Sequence, residues 1–278
     1  MKKRLLINLA LLVLLLTLVG IIWLKPGQEA SPQQRLVNID IKAINSICIE
    51  RLQADTVELT RHQQYWTLTA PIKVNALAGK VERLLKISQI IPPVSYPLDK
   101  ASMQRFGLQA PIARISFNDM ELLIGKTENV NLRRYVSAGN QLFLVDDTFL
   151  HHLTAPLSAY IDNRLLPDNV QITALTTPSI QLQQANDHSW HNSLKPKQEL
   201  SADAVQMLFD EWRFARAISV KTIVDHKQGE TISLQFNKQE SMHFSLIKKA
   251  DTVLLINNDK QLAYSFSTEK YQQMTHLK

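Results

Sequence analysis

The sequence predicts an α+β chain in which an N-terminal transmembrane helix is followed by two tandem antiparallel sheet-plus-helix units. Three observations predict it. Residues 5–24, LLINLALLVLLLTLVGIIWL, carry no charge. Beyond them, short alternating runs rich in β-branched residues are interrupted by two amphipathic runs of helical period. Finally, a Trp, a nearby Pro and a helical run are written twice, as WTLTAPIKVNALAGKVERLL from Trp66 and as WHNSLKPKQELSADAVQMLF from Trp190.

The first segment is long enough to span a bilayer. Twenty residues at about 1.5 Å each cover roughly 30 Å, the thickness of the hydrocarbon core. Lys2, Lys3 and Arg4 precede it, so residues 1–24 read as a cytoplasmic tip and an anchor, with the N-terminus in the cytoplasm. Trp23 suits the interface, and Lys25–Pro26 closes the helix in water. A cleaved signal peptide would have a shorter apolar core and small residues at its cleavage site; here KPGQEAS follows, with Gln28 and Ala30 at the key positions. The expected address is therefore the bacterial inner membrane, with the bulk of the chain in the periplasm.

Residues 25–36, KPGQEASPQQRL, read as a tether reaching at most about 40 Å. The first unit, 37–165, opens with the strand-like runs VNIDIKAI, SICIERL, TVELTRH and YWTLTAP. Asn75 offers a helix N-cap, and Leu77, Val81, Leu84, Leu85 and Ile87 fall on one helical face. IPPVSYPLDK breaks the pattern, ASMQRFGLQAP makes a short helix or turn, and strands resume at IARISF and MELLIG. RRYVSAGNQLFLVDD reads as a hairpin turning at Gly139–Asn140. Residues 148–164 look helical, broken at Pro156.

The second unit, 166–278, repeats the programme. VQITAL, SIQLQQ and HSWHNSL supply strands, Ser201 caps a helix, and TISLQF, HFSLIK, TVLLIN and QLAYSF supply strands again. Trp66, Ala78, Val81, Leu84 and Leu85 correspond to Trp190, Ala202, Val205, Leu208 and Phe209 at one constant spacing. Gln141, Leu142 and Thr148 correspond to Gln261, Leu262 and Thr268 at a slightly shorter one, as duplication with loop trimming would leave it.

Net charge is +6, but Lys2, Lys3 and Arg4 carry half of it and no Lys/Arg block follows. A nucleic-acid partner, which needs a concentrated basic footprint, is excluded on that ground. Cys48 is the single cysteine; it can form no internal disulfide and sits in an apolar run, where a buried, inert thiol is expected.

Several residues resemble the bacterial family DUF4340: Trp66 with Pro71, the helix near Ala76 and Ala78, Phe106–Gly107–Leu108 with Pro111, then Gly125 and Tyr135–Val136. The resemblance spans residues 38–150 well and the remainder loosely, and the second unit has no counterpart of FGLQAP. It implies a single-pass, envelope-facing protein, accessory to ABC-type or gliding-type transport components, and no reaction. Read physically, Gly107 takes positive φ at a corner while Phe106 and Leu108 plug the core, and Pro111 starts the next strand.

Chemistry is thin. Asp187, His188 and His191 lie in NDHSWHN, but on a strand His188 and His191 face opposite ways; His151 and His152 diverge on a helix. Three or four converging ligands are needed for zinc, so no metal and no cofactor is expected. Asp146–Asp147 reads as a turn. Seven scattered glycines make neither a phosphate loop nor a dinucleotide fingerprint, and no G-x-S-x-G is present. The sequence thus predicts a non-enzymatic, membrane-anchored interaction or assembly module with an envelope protein partner. The alternatives are a carrier of lipid or another hydrophobic ligand and, behind it, an envelope hydrolase. Trp66, Pro71, Phe106, Gly107, Leu108, Pro111 and Gly125 are structural motif residues in this reading.

Overall fold

The structure, a computed structural model, describes residues 2–24, 35–185, 187, 189–197, 199–223, 229–237 and 240–277. Most of the alternating runs become strands, which dominate the molecule; VNIDIKAI does not, and holds a 3-10 turn at Ile41–Ala43 instead. β1 (Ser46–Arg51), β2 (Ala54–His62), β3 (Tyr65–Ala70), β4 (Val74–Asn75), β5 (Val94–Pro97), β6 (Ala113–Phe117), β7 (Met120–Thr127), β8 (Arg134–Ala138) and β9 (Gln141–Val145) build one antiparallel sheet. Its order is β4-β3-β2-β1-β6-β7-β8-β9-β5. β10 (Ile172–Thr176), β11 (Gln181–Gln184), β12 (Trp190–Asn192), β13 (Ser219–Thr222), β14 (Glu230–Phe236), β15 (Ser241–Lys248), β16 (Thr252–Asn257) and β17 (Leu262–Ser267) build the second. That order is β12-β11-β10-β14-β15-β16-β17-β13.

Setting aside the two-residue β4, the orders agree strand for strand. Each sheet starts as a three-stranded meander, sends the chain through a helix to the far edge, and returns to fill the middle with a four-stranded meander. The connecting helices are α2 (Ala78–Ser88) and α4 (Ala202–Arg213). Their apolar residues recur three and four apart, so Val81, Leu84 and Leu85 of α2, and Val205, Leu208, Phe209 and Trp212 of α4, are buried together. A helix also follows each last strand: α3 (Leu150–Leu153) after β9 and α5 (Thr268–Thr275) after β17. Buried side chains of both sheets belong to one continuous apolar core.

Residues 160–165 tie the sheets together by backbone. The Leu77 N–H donates to Tyr160 O at 2.8 Å and the Asp162 N–H to Asn75 O at 2.9 Å, on the side of the first sheet. On the other side the Ala217 N–H donates to Asn163 O at 2.8 Å and the Leu165 N–H to Ala215 O at 3.1 Å. Segments entering a compact interior need such partners for every peptide group, and here the two halves supply them alternately.

The structure corrects several expectations. The predicted α+β class gives way to two large antiparallel sheets with few helices, because the alternating runs pair edge to edge into sheets of nine and eight strands. Among the described residues no helix is long and apolar enough to cross a membrane, so the transmembrane anchor expected over residues 5–24 is corrected too. The N-terminal helix, α1, covers Lys2–Leu24. The Trp23 side chain, Lys25–Pro26 and most of the expected tether, residues 25–34, lie outside the described residues.

Asn75 is not the N-cap of α2. It pairs with Thr67 as part of β4, and Leu77 takes the cap position with no side-chain bond. Residues 148–164 hold only the single turn of α3 and a 3-10 turn at Leu157–Ala159, since Pro156 prevents continuation. The hairpin at Gly139 forms, with Ala138 opposite Gln141 and φ of 54° at Gly139. Ser201 caps α4 by accepting the Ala204 N–H at 3.1 Å.

Candidate functional site

Of the family-motif residues, Phe106, Gly107, Leu108 and Gly125 meet at a corner beside β7, whereas Trp66 and Pro71 lie apart on β3 and at its end. Residues Lys100–Phe106 form a 3-10 turn that Gly107 ends at φ 71°, its N–H donating to Gln104 O at 3.1 Å; the Leu108 N–H donates to Met103 O at 2.9 Å. A β-carbon on Gly107 would stand 3.1 Å from the Lys126 nitrogen, and one on Gly125 only 2.3 Å from Phe106 O. Both glycines are therefore required for the turn to lie directly on the strand. Leu108 fills the core beneath, and the Phe106 ring rests on Tyr135, centroids 4.8 Å apart. Buried Arg134 donates to Gly125 O at 2.7 Å and pairs with Asp147 at 2.5 Å. Pro111, half-buried, leads into β6. Trp66 is half-buried on β3 and packs against the core, and Pro71 follows a cis peptide bond where β3 ends. This corner holds strands in place.

A cleft of about 610 Å³ lies between the first meander, the 160–169 connection and β17. Tyr65, Thr67 and Val74 line one wall, Leu262 and Tyr264 the other, and Leu165 and Leu166 lie between. Its charged centre is Asp162, 7 % exposed. The carboxylate accepts from the Arg164 backbone N–H at 3.1 Å, from Arg164 Nε at 2.7 Å and from Nη2 at 2.5 Å, while Arg164 Nη1 reaches Asp168. These bonds push the Arg164 guanidinium further above its ordinary pKa. Burial, with the Asp162 charge adding to it, raises the Tyr264 hydroxyl to about 12, so at neutral pH it stays protonated and can only hydrogen-bond. Lys73 and Lys260, both exposed, complete the lining. The arrangement offers fixed charges, neutral phenols and an apolar floor, which is recognition chemistry; no paired nucleophile and base lies within it.

The sequence does not single out these residues. The signal that could have found them is IDNRLLPDN, a charged, Pro- and Asn-containing stretch at the join between the expected units.

The sequence-predicted candidates stay apart from the cleft. His188 lies outside the described residues. His191 Nε2 is 3.0 Å from Ser189 Oγ, whose proton goes to Asp187 at 2.6 Å. That order, acid on serine with nothing orienting the imidazole, is the reverse of a nucleophilic triad. His151 and His152 do not diverge: their rings touch at 3.8 Å between centroids on α3. Among the described residues no group of His, Cys, Asp and Glu could hold a metal ion. Cys48 is half-buried on β1, its thiol raised by burial and then by Glu50 and Glu58, which suppresses the nucleophilic thiolate.

Fold and site together define a β-rich chain of two like-ordered sheets with a cleft at their junction. It belongs to the family described as Domain of unknown function (DUF4340), whose model matches residues 66–235. That span runs from Trp66 on β3 to Gln235 on β14, so the family unit crosses both sheets. No curated protein and no solved structure matches the chain. The family description names no reaction.

Proposed function

We propose that the chain is a non-enzymatic interaction module that works in a standing complex with a protein partner of the cell envelope, as an accessory to a transport assembly. One observation carries the reading. Along α1, Ile7, Leu9, Leu11, Leu12, Leu14, Leu15, Leu16 and Leu18 are all exposed. A helix apolar on every side is stable only when an apolar surface covers it, and the two sheets, whose own core is closed, do not supply one. The cleft adds a second, polar recognition surface whose Asp162–Arg164–Asp168 charges are already satisfied by one another.

The test is in-cell crosslinking followed by purification of the full chain, beside a variant carrying Leu11→Gln, Leu14→Gln, Leu15→Gln and Leu18→Gln. A stoichiometric protein partner is expected with the wild type and should be lost with the variant while the sheets stay folded by circular dichroism. A wild-type chain that sediments as a lone monomer in detergent-free buffer, with α1 helical, would overturn the proposal.

A further inference from the structure

Around the buried ring of Tyr160, the first half of the chain gathers positive charge that no ion pair among the described residues neutralises. Lys80, on the first turn of α2, is 8 % exposed, and its ammonium lies 4.8 Å from the Tyr160 centroid. Arg51, at the end of β1, approaches the same ring to 6.0 Å. Its Nη1 donates to Ala155 O at 2.5 Å and its Nη2 to Asp55 O at 2.7 Å, but its Nε is buried with no acceptor. The ring cannot yield, because the Tyr160 hydroxyl donates to His152 O at 2.7 Å. Arg83 follows one turn after Lys80, and α3 brings the touching rings of His151 and His152 alongside.

The charges that act on Lys80 and His152 are all positive, while Arg83 also feels the Glu82 carboxylate next to it. Lys80 feels Arg83 and Arg51, and burial with those cations lowers its ammonium to about 8. His152 feels His151, Lys80 and Arg83, and is lowered by burial and these neighbours to about 4. None of the ion pairs among the described residues involves Lys80, Arg51 or Arg83. A lysine this enclosed is almost always paired, and a buried cation without a counter-ion is costly to the fold. The backbone carbonyls that hold Arg51 fix its charge in place without cancelling it.

The first turn of α2 has no acidic side chain, and a β-carbon on Gly79 would meet open space. The helix therefore adds the positive end of its dipole to an approachable surface. We propose that Lys80, Arg51 and Arg83, with His151 and His152 on α3, form a binding site for a phosphate-type oxyanion at the first turn of α2. Several converging cations match a doubly charged oxyanion better than a single carboxylate, and the Lys80 ammonium still has donors to give. The site is independent of the partner reading above, since it needs only the first sheet and its two helices.

The experiment is isothermal titration of the full chain with inorganic phosphate, with sodium chloride and acetate at matched ionic strength, and in a separate arm with glycerol 3-phosphate. Saturable binding of one phosphate per chain is expected, at least tenfold weaker in Lys80→Met and in Arg83→Ala, with the His151 and His152 imidazole NMR signals moving along the same isotherm. Tighter binding of the ester supports the site and identifies a phosphomonoester headgroup as its source; tighter binding of inorganic phosphate supports it with the free ion. Should Lys80→Met fold poorly, Arg83→Ala, a change on an exposed side chain, decides alone. Heats that follow ionic strength only, or phosphate affinity unchanged in Arg83→Ala, would overturn the proposal.

Discussion

The two halves share a strand order but finish their helices differently. In the second half the helices α4 and α5 are tied off by specific bonds. Ser201 caps α4, Asp203 lies in its first turn, Trp212 is fully buried and donates to Met274 O of α5 at 2.6 Å, and Glu211 pairs with Lys270 across the two helices. In the first half α2 has an uncapped start at Leu77, no acid in its first turn, and only the single turn of α3 beside it. At the spacing that matches Trp66 with Trp190, Lys80 stands where the second half has Ala204, and Ser88 where it has Trp212. One architecture thus appears once with its electrostatics closed and once with an excess of buried cations. Function is more economically assigned to the half whose stability is compromised, since strain and unpaired charge collect at sites.

Substitutions test this contrast. The largest effect is expected at Trp212→Ala, which opens a cavity and strands the Met274 carbonyl; a loss of about 3–5 kcal/mol in denaturant unfolding is predicted. Truncating Ser88 to Ala at the matching position removes its bond to Leu85 O and the one it accepts from Gln89 Nε2 and should cost about 1–2 kcal/mol. Equal losses at the two positions would break the comparison. Next comes Arg164→Met, which leaves the Asp162 carboxylate buried without its partner and should cost about 3 kcal/mol, read as a drop in the urea midpoint.

Gly125→Ala forces a β-carbon against Phe106 O and should cost about 1–3 kcal/mol. Its specific readout is loss of the close Phe106–Tyr135 contact in the NMR spectrum; a variant that keeps that contact would contradict the corner geometry.

The pH dependence separates the halves further. Lys80 is lowered from 10.5 to about 8, so the unfolded chain holds its proton more tightly. The corresponding stability is present above pH 10.5 and is lost as pH falls through about 8. His152, lowered from 6.5 to about 4, likewise loses stability as pH falls from 6.5 through about 4. Tyr264, raised from 10 to about 12, acts oppositely, its stability lost as pH rises through that window, so the Lys80 effect is read as the difference between wild type and Lys80→Met. A difference that does not shrink between pH 8 and 10.5 would remove the buried ammonium from the account. The smallest effect is at the caps: Ser201→Ala should cost about 1 kcal/mol, and Leu77→Ala, where no cap bond exists, nearly nothing by melting temperature.

How legible this was depends on the range of the interaction. Periods of two and of three-to-four residues are local, so most strands, both connecting helices, the Ser201 cap and the Gly139 hairpin can be read from the chain, whereas β5, in a Pro-rich run, and β13 cannot. Asn75 shows the limit: its capping propensity loses to pairing with Thr67, a contact across a turn. The helix expected over residues 148–164 fails because Pro156 removes a donor where the pattern of apolar residues continues. Asp162, Arg164 and Tyr264 were not legible, since Asp162 meets Tyr264 only after the connection has bonded to both sheets. Lys80 was read past for the same reason. On a helical wheel it sits on the flank of the apolar face, beside Leu84 and Ile87, but that placement does not reveal Tyr160, Arg51 and α3, which fold around it and make it a buried charge.

The most direct test is the melting temperature of the full-length wild type and of Lys80→Met, each measured without phosphate and at saturating phosphate. The account predicts a crossing: Lys80→Met melts above wild type without phosphate, by the equivalent of about 1 kcal/mol as an unpaired charge is removed, and below it when phosphate fills the wild-type site. A Lys80→Met protein that melts below wild type in both buffers, by the same margin, would show that Lys80 stabilises the fold as it stands and would contradict the claim that the first half is built around a missing anion.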